Sequence, residues 1–401
     1  MTALAGTFFL RRISLIFVAG ACFVWPGASA SATGPDPLAS RDVAALTSAD
    51  IDALAKLLQA DWQSSFETTL GLGWDSNLLL SSLTPEDSGF TRVGVEGMLW
   101  HLPREEQPVE FIGFLNANYR KMFSSERLPH DAQAFCQGEA RWRPTPPVRL
   151  TLLAQGYYLD SVLDLSTESE RLAAPLQNEG VNTGLGVRWD PSSRWWLETT
   201  GTVNFSNFPD IPEDFLEYRF ALHGGWLSAD GKLKLGLGAR QYDRRYQDRN
   251  RTTRGGRPIP GAELRYRAPE LELTVEQSME WHGTWRFNGS VAVGQNDDNG
   301  GGYYDYRLGK LFASIEWRRA AWSAQLKFDA GRYRWDVQTA GIGLNPPLRY
   351  RHDQLGAFQL DRQINGHWKV FIEAQREWVS SNDALASYDV TMFALGLGWK
   401  T

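Results

Sequence analysis

Charged side chains recur at every second position of stretches whose other positions are apolar. Arg149, Arg188, Arg219, Lys234, Arg286, Lys310, Lys327, Arg349, Arg351 and Lys369 supply cations in this pattern. Glu198, Glu217, Glu276, Glu280, Glu316, Asp329, Asp353, Glu373 and Glu377 supply carboxylates. A spacing of two puts each set on a single face of a sheet. Acids and bases opposed across a water-filled interior would create a transverse field that orders water and polar solutes. In the alternative, the same charges pair with one another in an interior filled by side chains.

A second concentration of charge lies in 242–267. It holds Arg244, Arg245, Arg249, Arg251, Arg254, Arg257, Arg265 and Arg267 against only Asp243, Asp248 and Glu263. Guanidinium forks match phosphate and carboxylate. The first six are expected to form an anion-contact loop that is solvated near the lipid surface, folds inward as a constriction, or grips an anionic glycan. A third cluster, Asn296-Asp297-Asp298-Asn299, precedes three glycines. It offers oxygen ligands but lacks the following Glu of the twelve-residue calcium hand, so an outer turn is expected. Neither a metal site nor a cofactor is predicted.

Little points to catalysis. The chain downstream of the first 32 residues has no Gly-x-Ser-x-Gly elbow, and His101, His130, His223, His282, His352 and His367 are scattered rather than set at metal-ligand spacing. Cys22 lies in the first segment, which leaves Cys136 without an intramolecular partner and rules out a disulfide scaffold. A net charge of −6 suggests no nucleic-acid partner.

The elements that must position these residues are strands. From Phe66 to Trp399 the chain alternates long polar connections with very short turns, separated by stretches of about ten alternating residues. The long connections fall at 75–89, 121–131, 160–180, 206–214, 242–269, 296–302, 335–347 and 379–386. The short ones fall at 101–108, 143–147, 190–193, 228–232, 282–283, 318–321 and 365–367. Placing every long connection at one end of a sheet is the arrangement of an up-and-down β-barrel in a membrane, with short periplasmic turns and long outer loops. Counting gives about 16 strands, an even number that leaves both termini on the periplasmic side. The uncertain stretch is 262–267, which reads either as a strand segment projecting beyond the membrane or as loop.

Strand parity assigns the faces. Phe66, Thr68, Leu70, Leu72 and Trp74 oppose Glu67, Thr69, Gly71 and Gly73; Phe393, Leu395, Leu397 and Trp399 oppose Ala394, Gly396 and Gly398. Leu-Gly-Leu-Gly-Trp thus occurs at 70–74 and again at 395–399, on the two strands that must meet to close a barrel. A charge on the lipid face costs roughly 2–4 kcal/mol at the midplane, so the charged parity belongs inside. Mean hydropathy of −0.37 argues against membrane helices but not against a barrel, in which only alternate residues meet lipid. The 17 Trp, 13 Tyr and 20 Phe suit a membrane interface.

The first 32 residues read as a cleaved signal peptide: Arg11 and Arg12, an apolar stretch over 13–25, then Ala28-Ser29-Ala30 or Ala30-Ser31-Ala32. Residues 33–63 read as a periplasmic leader with a short helix, in which Ile51, Leu54, Leu57 and Leu58 share a face behind Thr47-Ser48-Ala49-Asp50. That helix is expected to rest against the barrel mouth, or to serve as a plug or a partner-binding element. Residues 64–401 form the barrel.

Gly71-Leu72-Gly73-Trp74-Asp75-Ser76-Asn77 resembles the first strand end of bacterial outer-membrane β-barrel proteins of the porin-like class. Similar strand ends occur in barrels that modify surface lipoprotein assembly and in polysaccharide-export porins. The resemblance implies a Gram-negative outer membrane, contact with its lipids and lipopolysaccharide, and delivery by the outer-membrane insertion machinery. That machinery usually reads an aromatic terminal residue; here Trp399 is followed by Lys400 and Thr401. The expected function is a passive channel for small hydrophilic solutes, anions among them. The alternative is a translocation or assembly barrel for a surface polysaccharide or lipoprotein. A trimer and a monomer fit equally, because a closed sheet has no edge that needs a partner.

Overall fold

The computed structural model describes residues 62–102, 108–165, 173–341 and 344–401. The signal segment and the leader helix expected from the sequence lie outside the described residues. Sixteen antiparallel strands follow one another in chain order. They are β1 (Trp62–Asp75), β2 (Ser88–His101), β3 (Val109–Met122), β4 (His130–Thr145), β5 (Val148–Asp164), β6 (Ala173–Trp189), β7 (Trp195–Asn207) and β8 (Phe215–Leu227). The second half comprises β9 (Leu233–Thr252), β10 (Pro258–Glu280), β11 (Thr284–Asp298), β12 (Tyr306–Arg319), β13 (Trp322–Thr339), β14 (Leu348–Gln363), β15 (Trp368–Ser381) and β16 (Tyr388–Lys400). Each pairs with its sequence neighbours, and β1 pairs with β16, so the sheet is a closed barrel.

Closure is written in the repeated pentapeptide. In the β1–β16 register Leu70 faces Leu397, Gly71 faces Gly396 and Leu72 faces Leu395. The leucines point outward and are more than half exposed, except Leu397 at 48%. The glycines have a steric reason on the other face. A Cβ on Gly396 would stand 2.5 Å from the Phe371 ring and 2.2 Å from the Leu70 carbonyl oxygen, and one on Gly73 would meet the Phe90 ring at 2.4 Å. These glycines let large inner side chains lie flat over the seam.

The outer surface is apolar where the strands cross the middle of the barrel. On β10, Leu271, Leu273, Val275 and Met279 alternate outward and are exposed. The eleven residues from Leu271 to Trp281, tilted by roughly 40°, climb about 25 Å, the height of an outer-membrane apolar band. At the short-turn end this band is ringed by exposed Trp62, Trp142, Trp189, Trp195, Trp281, Trp322, Trp368 and Trp399. At the long-loop end Trp74, Tyr119, Tyr158, Tyr218 and Tyr350 are exposed. Amphipathic aromatics at both rims are what two membrane–water interfaces select. The fold is a transmembrane β-barrel.

The connections follow the expected alternation with two differences. The three-residue turn between paired Glu280 and Thr284 has His282 and Gly283 at positive φ, 48° and 130°. The stretch 242–269, read from sequence as a long loop, is instead strand: β9 and β10 pair from Leu233 with Gln277 as far as Thr252 with Pro258. Likewise β5 and β6 remain paired out to Asp164 with Ala173, inside the stretch 160–180 that read as loop. Both hairpins continue because their polar residues find partners inside the long-loop end of the barrel. The first strand also begins at Trp62, two residues before the boundary placed at 64.

Candidate functional site: the barrel interior

Cross-strand register places the charged residues picked from sequence on the face opposite the exposed leucines. Arg149, Glu217, Arg219, Glu316, Lys327, Arg349, Arg351, Asp353, Glu373 and Glu377 are all less than a tenth exposed. Arg188, Glu198, Lys234, Glu276, Arg286, Lys310, Asp329 and Lys369 are half-buried. Glu280 differs: at the end of β10 it is exposed and accepts the Thr284 hydroxyl at 3.1 Å.

The charges are neutralised along the wall that carries them. Lys234 Nζ donates to Glu276 at 2.9 Å, Lys310 to Glu270 at 3.2 Å, and Arg240 binds Glu270 at 2.7 Å and Glu272 at 2.9 Å. Arg149 and Arg188 share Glu198 at 4.0 and 3.8 Å, while Arg188 and Lys234 both sit over the Trp196 ring. Five inner pairs join an arginine to an acid two residues away, Glu139 with Arg141, Arg188 with Asp190, Glu217 with Arg219, Glu316 with Arg318 and Arg351 with Asp353, and Asp243 with Arg245 and Glu263 with Arg265 repeat the spacing on the exposed outer face. The i, i+2 spacing sets both side chains on one face about 7 Å apart at the Cα, within reach of the long guanidinium arm. The acid and arginine two apart, in either order, are visible in the sequence.

The arginines of 244–257 divide. Arg244 is buried, donates to Glu217 Oε2 from Nε at 2.9 Å and Nη2 at 2.8 Å, and lies 4.1 Å over the Phe215 ring. Arg249 donates to Glu213 at 2.9 Å and stacks on Tyr246 and Tyr304. Both are committed to a carboxylate and aromatic rings within the fold. Arg245 lies over Tyr218, Arg251 is half-buried, and only Arg254 and Arg257 stand exposed beside the hairpin tip. The cluster at 296–299 is a turn closed on its own backbone. Asp298 accepts the N–H groups of Gly300, Gly302 and Tyr304, and Asn299 bonds the backbone of Glu263 and Arg265. In the loop beside it, Asp305 loses solvent to burial and faces Asp298, Asp297 and Asp336. Its carboxyl is pushed up to about 6, even though it accepts the Asp298 N–H.

The long-loop end of the barrel is occluded by an element the sequence reading had left in a loop. A strand within a barrel wall buries one face, but Ser161, Val162, Leu163, Asp164 and Leu165 are buried consecutively. The end of β5 therefore leaves the wall and lies across the mouth. One side of it, Val162, packs with Leu78, Leu80, Phe90, Met122, Leu128, Val379, Tyr388, Val390 and Met392. The other side, Leu159, Leu163 and Leu165, packs with Leu176, Phe208, Phe215, Tyr246, Leu264 and Tyr266. Loop 76–87 folds into the first cluster, held where Asn77 Nδ2 donates to the Asp389 carbonyl at 3.2 Å and to Ser81 O at 2.9 Å.

At the centre of this closure Arg351 Nη2 donates to Asp164 at 2.7 Å, and the Tyr388 hydroxyl bonds Asp164 at 3.0 Å and Glu377 at 2.8 Å. β14 and β5 are seven strands apart one way around the ladder and nine the other, almost opposite. Sixteen strands about 4.8 Å apart and tilted about 40° would form a round barrel roughly 30 Å across. Two side chains can touch over that gap only because β5 turns inward. Sequence parity found Arg351, Asp353 and Glu377 but missed Asp164, whose role depends on where β5 leaves the wall.

No family model matches the chain, and no curated protein matches it. Among solved structures it is similar to OccAB1 of Acinetobacter baumannii, at 9% identity and a TM-score of 0.44 over 85% of this chain and 97% of that one. It is also similar to OccK9 (OpdG) of Pseudomonas aeruginosa, at 10% identity and 0.43 over 85% and 99%. A BenF-like porin from Pseudomonas fluorescens matches at 8% identity and 0.39 over 85% and 99%.

Proposed function

We propose that the chain is an outer-membrane channel for small hydrophilic solutes. The observation that carries the reading is a closed barrel, apolar outside, whose inner face carries ion pairs at many levels of the wall. Charges cost too much in lipid to be kept without a polar role inside, and sixteen strands enclose enough width for an aqueous path. Paired acids and bases line that path, so anions and cations both find partners in it. The long loops lie outside the cell, and both termini lie in the periplasm. The β5–β6 hairpin closes the outer mouth, and conduction requires it to yield. No residue acts as a catalyst in this reading.

The remaining partners belong to the same proposal. Arg307, Arg332 and Arg334 stand exposed on the outward parity of β12 and β13, beyond Leu311 and Leu326 of the apolar band. Arg307 and Arg334 face each other in register, an arrangement that favours a bridging anion such as a lipopolysaccharide phosphate. Arg254 and Arg257 stand exposed beside the tip of the β9–β10 hairpin, and Arg245, Arg265 and Arg267 are exposed along its outer face, within reach of the same layer. The insertion machinery reads the β16 edge and its outward Trp399.

Reconstitution into planar bilayers tests the channel: stepwise conductance is expected, and its complete absence at high protein would sink the reading. The apolar closure of the mouth favours one other function, a barrel that opens only for a surface polymer or lipoprotein. A deletion strain that loses such a surface component while solute uptake stays normal would select it.

A further inference from the structure

The inner wall built by β1 to β3 and β14 to β15 is recessed. A small recess of about 30 Å³ lies against Glu67, Arg92, Glu96, Gln359, Lys369 and Glu373. Both cations are already engaged: Arg92 is bonded to Glu373, and Lys369 to Glu67 and, at 3.6 Å, to Asp361. With Glu96, four carboxylates thus surround two cations. Glu96 accepts a hydrogen bond from the Asn116 side chain, shares the field of Lys369 and Lys400, and stands directly opposite Glu67 in the β1–β2 register. Like charges facing across a ladder destabilise it unless a counter-charge lies between them.

A second observation is independent of the acids. Gln359 is 6% exposed and donates Nε2 to both oxygens of Asp361, at 3.2 and 3.1 Å. Its carbonyl Oε1 is buried without a hydrogen-bond donor. Rotating the amide would set its oxygen against the carboxylate, so the open position is an acceptor. An unsatisfied buried acceptor costs roughly 1–3 kcal/mol, which a donor from outside the chain would recover. The Phe371 ring, seated over Gly71 and Gly396, lines the same recess and offers an apolar surface among the polar groups.

We propose that this recess is a binding subsite for a small organic cation, taking a primary ammonium at Glu96 and a second N–H or O–H donor at the Gln359 carbonyl. An ammonium brings three donors and a positive charge, which answers the surplus carboxylate; the second donor answers the amide oxygen. An alkyl linker between them lies along Phe371. A bare metal ion is the poorer fit, because among the described residues no three His, Cys, Asp or Glu side chains are grouped to hold one. The subsite rests on the channel reading only for the route by which the solute arrives.

The test is isothermal titration of the detergent-solubilised full-length barrel with 1,4-diaminobutane, with acetate and Ca²⁺ titrated separately and thermal melting followed for each variant. Saturable diamine binding is expected in the wild type, weaker by tenfold or more in Glu96→Gln and several-fold in Gln359→Leu, and tighter in Gln359→Glu. Acetate is expected to give no saturable heat. Absence of saturable diamine binding to the wild type overturns the proposal, as does unchanged affinity in Glu96→Gln with an unchanged melt. Binding of Ca²⁺ but not diamine, lost in Glu96→Gln, also overturns it in favour of a metal. Bilayer conductance of the same preparation separates the two readings: conductance without diamine binding removes the subsite alone, and diamine binding without conductance removes the channel alone.

Discussion

Replacing Asp164 with alanine should open the outer mouth. Asp164 and Arg351 are each about 3% exposed at the side chain, and their 2.7 Å pair joins β5 to a strand nearly opposite. Removing one partner of a buried pair costs about 3–5 kcal/mol, because the remaining charge is left without its counter-charge. Arg351 keeps Asp353 as a partner, so the lower end applies. If about 3 kcal/mol is lost from the closed arrangement alone, the ratio of open to closed mouths rises about 150-fold, at roughly 1.4 kcal/mol per factor of ten. The assay is single-channel recording in planar bilayers, with open probability read for the wild type, Asp164→Ala and the double variant Asp164→Ala with Arg351→Met. The single variant should be open far more often. The double variant also strips the buried Asp353 of its Arg351 partner, so it should melt below the single variant while remaining at least as open. Equal open probability in the wild type and Asp164→Ala would refute the idea that this pair holds the mouth closed.

Two further outcomes follow from the geometry. Gly396→Ala puts a methyl 2.5 Å from the Phe371 ring and against the Leu70 carbonyl, so the β1–β16 seam should weaken by about 1–3 kcal/mol; Gly309→Ala, with nothing within 4 Å, serves as control, and resistance to unfolding in detergent ranks the two. Asp305, whose carboxyl is raised from 3.8 to about 6 chiefly by burial, favours its protonated form in the folded loop. Its contribution is therefore full below pH about 4 and is lost as pH rises through about 6. Amide exchange in 300–305, corrected for intrinsic rates, should accelerate over that window in the wild type and not in Asp305→Asn.

Much of this architecture is legible without coordinates, because a strand alternates its side chains with a period of two and a membrane penalises charge on one face. That is why parity placed Glu217, Arg219, Lys327, Arg351 and Glu373 on a common face, and why the repeated Leu-Gly-Leu-Gly-Trp marked the two strands that close the sheet. Even the i, i+2 pairs, such as Glu139 with Arg141 and Glu316 with Arg318, lie within reach of the sequence once the period is known.

Polar composition misled the reading at 160–180 and 242–269, where Arg244 and Arg249 look like loop residues. They continue strands because Glu217, Glu213 and a set of aromatic rings satisfy them at the long-loop end. Local spacing determined the strands, their faces and their number. Tertiary structure alone decided that β5 turns across the mouth to bring Asp164 to Arg351, and that Glu96 and Gln359, on β2 and β14, border one recess. Those contacts depend on the curvature of the closed wall and on which hairpin leaves it, and alternation along a single strand carries no record of either.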